Sequence, residues 1–124
     1  MAINFTVDGP ARLVRATVSG PTNATLGEFE SFLDALVAHP DFRRGFAVLY
    51  DRRAVAAPPD DTFIRAATEA IERRAARLSG CRWAVVIGDQ PALSVVHMTA
   101  LLGERAGVEA RPFFAPEDAR AWLG

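Results

Sequence analysis

The chain has 124 residues, half of them hydrophobic and 23% charged, a balance that suits one domain with a real core and argues against disorder. Its cations are all arginine, 14 against 15 acidic residues for a formal charge of −1, which leaves no excess field for a nucleic-acid backbone and no lysine for Schiff-base or P-loop chemistry. A solitary Cys81 gives no disulfide framework and no thiolate metal site, and neither a leader pattern nor a run of ~18 apolar residues is present, so the expectation is a cytoplasmic protein without membrane insertion.

Ile3, Phe5 and Val7 alternate with polar residues, as do Val14, Ala16 and Val18. With Asp8-Gly9-Pro10 between them, the two runs predict an antiparallel hairpin. Thr25 and Glu28 have capping-box spacing, and Leu26, Phe29, Leu33, Leu36 and Val37 recur at helical intervals, which predicts a helix over 26–38. Residues 46–50 are apolar on both faces, the pattern of a central strand. After the loop 51–61, Ile64, Ala67, Ile71, Ala75 and Leu78 form the stripe of a second helix, with Arg65, Glu69 and Arg73 as its solvated row. A doubly apolar strand over 83–88, a third helix opened by Asp89-Gln90-Pro91, a last strand over 109–114 and a short helix from Pro116 that buries Trp122 and Leu123 complete the chain.

The rhythm implies an α/β fold. A single domain over residues 1–124 holds a mixed sheet of about five strands, an antiparallel N-terminal hairpin followed by parallel βα units, with about four helices.

Chemistry-bearing motifs are scarce. No GxGxxG or GxxxxGK[ST] follows any strand, so no nucleotide cofactor is expected. His39 and His97 lie in different helices without a second ligand at metal spacing, and no metal site is expected. Ser19, Ser94, Thr22 and Thr62 lack an identifiable base. Asp51 and Asp89 both follow strands, where they either share a cleft for acid–base work or cap helices and pair with Arg52 and Arg53; the second reading is the stronger.

Two features point to binding. The loop 51–61 joins Asp51, Arg52 and Arg53 to Asp60, Asp61 and Thr62, and reads as an exposed interaction or switch loop. The third helix is apolar nearly all round, so Leu93, Val96, His97 and Ala100, with Phe46, Tyr50 and Trp83 of the central strands, form a candidate ligand wall or dimer face.

The segments VSGP, LVAHPDFRRG, FAVLYD, RWAVVIGD and VEARPFFAPEDARAWLG, in this order, resemble the SpoIIAA-like proteins, relatives of the STAS domain. The resemblance covers essentially the whole chain and implies strands in near-sequential order, with helices crowding one face and the other left partly bare over Phe46, Val48 and Tyr50 or Trp83, Val85 and Ile87. It implies a module that binds another protein under control of a phosphorylated Ser or Thr at the start of the helix after the third strand. Here Thr62 is the hydroxyl at that place, and the two aspartates before it would repel a phosphate. Fold relatives of the CRAL-TRIO type hold lipids.

The combined expectation is a non-catalytic interaction or regulatory module, a homodimer or a binder of another protein. Its alternative is a carrier of a small hydrophobic, lipid-like ligand, and a small acid–base enzyme comes third. A carrier needs an enclosed apolar cavity of roughly 300 Å³, an interaction module an exposed apolar patch.

Overall fold

Alternation of apolar with polar residues builds the first two strands, β1 (Ile3–Asp8) and β2 (Leu13–Val18). They run antiparallel, with Ile3 opposite Val18 and Asp8 opposite Leu13. The computed structural model describes residues 2–20, 22–55, 59–88 and 107–124. In the connecting turn the Asp8 carboxylate accepts from the Ala11 N–H at 3.1 Å, and the Arg12 N–H donates to the Gly9 carbonyl at 3.1 Å.

The capping box forms as the spacing requires. Thr25 Oγ1 accepts from the Glu28 N–H at 3.1 Å, and the Glu28 carboxylate accepts from the Thr25 N–H at 2.8 Å. The box starts α1 (Leu26–Ala38), whose buried stripe is Phe29, Phe32, Leu33 and Leu36, and hydrogen bonds from the Thr25 backbone and side chain to the Glu28 carboxylate hold that carboxyl below its ordinary range.

β3 (Ala47–Asp51) follows, then α2 (Asp61–Arg73) and a separate turn, α3 (Ala75–Leu78). The sequence stripe suggests one helix through Leu78, but Arg74 leaves helical geometry at φ −111° and ψ 17°. Its guanidinium donates to the Ala70 carbonyl at 2.7 Å and pairs with Asp34 of α1 at 2.8 Å, so the break lets one side chain tie both helices. Arg73, expected to pair along its own helix, instead reaches Glu30 of α1 at 2.5 Å. β4 (Arg82–Val86), β5 (Glu109–Phe113) and α4 (Pro116–Leu123) complete the described elements. The expected third helix, with Leu93, Val96, His97 and Ala100, lies outside the described residues.

All five strands join one sheet in the order β1-β2-β3-β4-β5, parallel from β2 onward. A crossover between adjacent parallel strands is right-handed, so successive crossovers in one direction place their helices on one face. There α1 and α2 bury Val48, Tyr50, Trp83 and Val85 together with Phe29, Phe32, Ala67 and Ile71. The expectation that these strand residues lack cover is therefore corrected. The opposite face is not bare, because the chain turns after β5 and lays α4 over Ala84 and Val86, with Leu49, Phe113, Trp122 and Leu123 half-buried around Ala119. Trp122 is half-buried rather than buried, with the Arg82 guanidinium carbon 4.3 Å and that of Arg111 5.3 Å from its ring centroid.

The larger core centres on Phe32. Its ring lies 5.3 Å from Phe5 of β1, 6.0 Å from Tyr50 of β3 and 6.3 Å from Trp83 of β4, and it is 1% exposed. Phe32→Ala is expected to lower the unfolding free energy by about 3–5 kcal/mol, read from urea midpoints at unchanged slope, whereas a loss below about 1 kcal/mol would show that the cluster does not organise the fold.

Candidate functional site

The parallel strands end at Asp51 and Val86, and beyond these ends the chain closes over an apolar cavity on the α1/α2 side. Tyr50, Trp83 and Val85 form its floor, Phe29 of α1 and Phe63, Ala67 and Ile71 of α2 its walls, and Val18, Ala24, Val55 and Pro59 its remaining sides. The cavity measures about 40 Å³. That is about three times the room one water molecule needs, yet well short of the roughly 300 Å³ that encloses a drug-sized ligand. That volume has room for a short alkyl or methyl-bearing end and not for a whole lipid.

The small size follows from two close approaches. A Cβ on Gly20, past the end of β2, would meet the Ala54 carbonyl oxygen at 2.1 Å, and one on Gly88 would meet the Arg53 carbonyl oxygen at 3.1 Å. The segments after β2, β3 and β4 therefore touch through their backbones. Phe29 and Phe63 meet edge to face with centroids 5.9 Å apart, bridging α1 and α2, while Ala24 and Ala67 leave the gap that these rings do not fill.

Three polar groups meet this apolar shell. Arg52 is 5% exposed, and its guanidinium donates to Asn23 Oδ1 at 2.6 Å, so both residues line the cavity as a linked pair. Burial lowers the Arg52 pKa, with the nearby Tyr50 phenol opposing. Burial in turn pushes the Tyr50 phenol above its ordinary range, with the Arg52 charge drawing it back, which keeps the phenol neutral. The third group is the Trp83 indole N–H, buried at 2% exposure and with no acceptor among the described residues. A buried donor left in this state costs about 1–3 kcal/mol.

The loop 51–61 is thus split between two roles. Asp51 and Arg53 pair on the surface, with Arg53 Nη2 2.7 Å from Asp51 Oδ2 and the Arg53 N–H donating to Asp51 Oδ1 at 3.0 Å. Burial raises the Asp51 pKa, but the hydrogen bonds and charge of Arg53 outweigh it and hold the carboxyl below 3.8. Asp60 caps α2, accepting from the Phe63 N–H at 2.7 Å, and Asp61 and Thr62 are exposed in its first turn. Of the loop's charged residues Arg52 alone is buried, which corrects the reading of both arginines as exposed loop charges. Of the expected ligand wall, Tyr50 and Trp83 meet at the cavity with rings 5.8 Å apart. Phe46 sits at the opposite end of β3 against Phe42, 5.7 Å between centroids, and takes no part. Leu93, Val96, His97, Ala100 and Asp89 lie outside the described residues. No grouping of three His, Cys, Asp or Glu residues fit to hold a metal occurs among the described residues.

The chain matches no protein-family model, no curated protein and no solved structure.

Sequence reasoning missed Val18, Asn23, Ala24, Phe29, Val55, Pro59 and Phe63 as wall residues. One signal was present: Arg52 stands two residues after Tyr50, and side chains two apart on extended chain share a face.

Arg52→Ala is expected to destabilise the fold by about 1.5–3 kcal/mol, the loss for a buried charge-assisted hydrogen bond, while Arg53→Ala changes it by less than about 1 kcal/mol. Chemical denaturation of the two variants side by side decides it, and equal small effects would show that Arg52 is a surface charge. The depressed Asp51 carboxyl contributes stability that is present above its unfolded pKa of about 3.8 and lost as pH falls through the folded value. Wild type and Asp51→Asn are accordingly expected to differ slightly in melting temperature above about pH 5 and to converge toward pH 2.

Proposed function

We propose that this chain is a non-catalytic binding module whose cavity takes the apolar end of a small amphipathic molecule, with an acceptor group of that molecule directed to Arg52 and the Trp83 indole N–H. The observation that carries the reading is the cavity itself, apolar on most sides and bordered by buried donors, the composition of ligand sites in general. Its limited volume suits a short chain or one edge of a ring.

Catalysis is not part of the proposal. The Asp51 carboxylate, between the cavity residues Tyr50 and Arg52, is held ionised by Arg53, and the Tyr50 phenol is held neutral by burial, so neither is tuned to exchange protons near neutrality. The resemblance to SpoIIAA-like proteins and their STAS and CRAL-TRIO relatives remains a proposal of kinship, compatible with the sequential mixed sheet.

A second reading, a regulatory module that binds another protein or a second copy, is favoured by Phe114. This residue, directly after β5, is 63% exposed, and an exposed aromatic next to the half-buried Phe113 suits a partner contact. A phosphorylation switch at Thr62 draws support only from its exposure.

Hexanoate and hexanol are the probes that separate these readings. Titration of labelled protein is expected to shift the Trp83 indole N–H resonance with saturation while leaving that of Trp122, on the other face of the sheet, in place. Ala67→Leu, which fills the gap, is expected to abolish the shift without unfolding the chain. No saturable shift with either probe, or equal shifts at both tryptophans, would overturn the cavity reading in favour of the surface one.

A further inference from the structure

At the end of the sheet remote from the cavity, the first residues of three parallel strands stand in register: Leu13 opposite Ala47, and Ala47 opposite Arg82. They floor a groove of about 250 Å³ whose walls are the Ala11–Arg12 turn and Gly45 on one side and Arg120, Leu123 and Gly124 of the last turn of α4 on the other. Three arginines line it, Arg12, Arg82 and Arg120, and among the described residues no Asp or Glu does.

Each arginine is held differently. Arg82 is stacked on Trp122 at 4.3 Å, and its Nε lies 3.8 Å from Glu109 Oε2, too far for a hydrogen bond. Stacking fixes the plane of the fork and leaves its edge donors usable. Among the described residues neither Arg12 nor Arg120 has a carboxylate partner. Arg12 is the one non-glycine residue with positive φ among those described, at 55°, a conformation that costs about 1–2 kcal/mol and suits glycine or asparagine better. The turn therefore carries a strained side chain that faces the groove. Gly45 on the same wall has a positive φ of 83°, a conformation that favours glycine, and Arg12 Nη2 lies at ordinary contact distance, 4.0 Å, from where its Cβ would stand.

We propose that this groove binds a small soluble phosphate ester or pyrophosphate group, with Arg12, Arg82 and Arg120 contacting its oxygens. A planar fork matches the spacing of phosphate oxygens in pairs, and three forks around one recess suit a group with two or more negative charges. The site stands apart from the cavity at the other strand ends and does not depend on the reading given for it.

The probe is inorganic pyrophosphate, titrated at constant ionic strength set with sodium chloride and followed by NMR and calorimetry. Saturable shifts are expected at residues 11–13, 45–47, 82 and 120–124. Arg12→Gly is expected to keep or raise the melting temperature, because it relieves the strained turn, yet to weaken binding about tenfold, as for loss of one charge-assisted contact. Arg120→Gln, on the exposed side of α4, is expected to act likewise, whereas Arg77→Gln, outside the groove, leaves affinity unchanged. Retained affinity in both groove variants, equal loss in Arg77→Gln, or no saturation would overturn the assignment. Pelleting with phosphatidic acid vesicles in the absence of a pyrophosphate shift would place the charge on the outer surface and overturn it as well.

Discussion

The ring of Phe32 is the point at which helix and sheet are keyed together. It is held edge-on by Phe5 at an interplanar angle of 73° and by Trp83 at 75°, so the contact fixes both the height of α1 above the sheet and its rotation. Edge-to-face pairs prefer such angles to face-to-face stacking, and a cluster of them resists sliding better than aliphatic packing does. Once α1 is fixed, Phe29, one turn earlier, lands against Phe63 and sets where α2 begins. The cavity is a by-product of this keying. The rings of Phe29, Tyr50, Phe63 and Trp83 meet the smaller side chains of Val18, Ala24, Val55 and Ala67 there and leave a gap between them.

Arg52 shows what the arrangement asks of the loop. Its backbone N–H donates to the Val86 carbonyl at 2.9 Å, continuing the β3–β4 ladder one residue past the strand, and its carbonyl accepts from Val55 at 3.1 Å. The side chain then crosses to Asn23, before α1. One residue thereby links the ends of β2, β3 and β4. A charge in so dry a place is costly unless hydrogen-bonded, and the Asn23 amide, a neutral acceptor, is part of what makes it tolerable.

Most of the fold was legible in the sequence because local and global signals agreed. The bounds of α1 were set by the Thr25–Glu28 box and by its stripe, whereas the sequential strand order was expected only from the family resemblance. The break at Arg74 was not legible, since Ile71, Ala75 and Leu78 keep helical spacing across it and only the pull of Asp34, forty residues away in sequence, explains it. The position of α4 was likewise hidden: Trp122 and Leu123 announce burial but not which face receives them. At the site, Tyr50 and Trp83 could be named from strand pattern, whereas Asn23, Ala24 and Phe63 owe their place to tertiary approach. The loop 51–61 was read as an exposed segment joining arginines to aspartates, yet alternation after Tyr50 sends Arg52 inward and leaves Asp51 and Arg53 paired on the surface.

The strictly sequential strand order has a kinetic meaning. In many α/β sheets a later strand must insert between two earlier ones, which forces the early strands to wait unpaired. Here each strand adds to the edge left by its predecessor, so every intermediate from the N-terminal hairpin onward is already a correctly ordered, smaller sheet. Such a chain can consolidate as it leaves the ribosome, with loop closures short and each newly exposed edge covered by the next segment to emerge. The vulnerable moment comes last, while β4 is the open edge and α4 has not yet been synthesised to cover Ala84 and Val86.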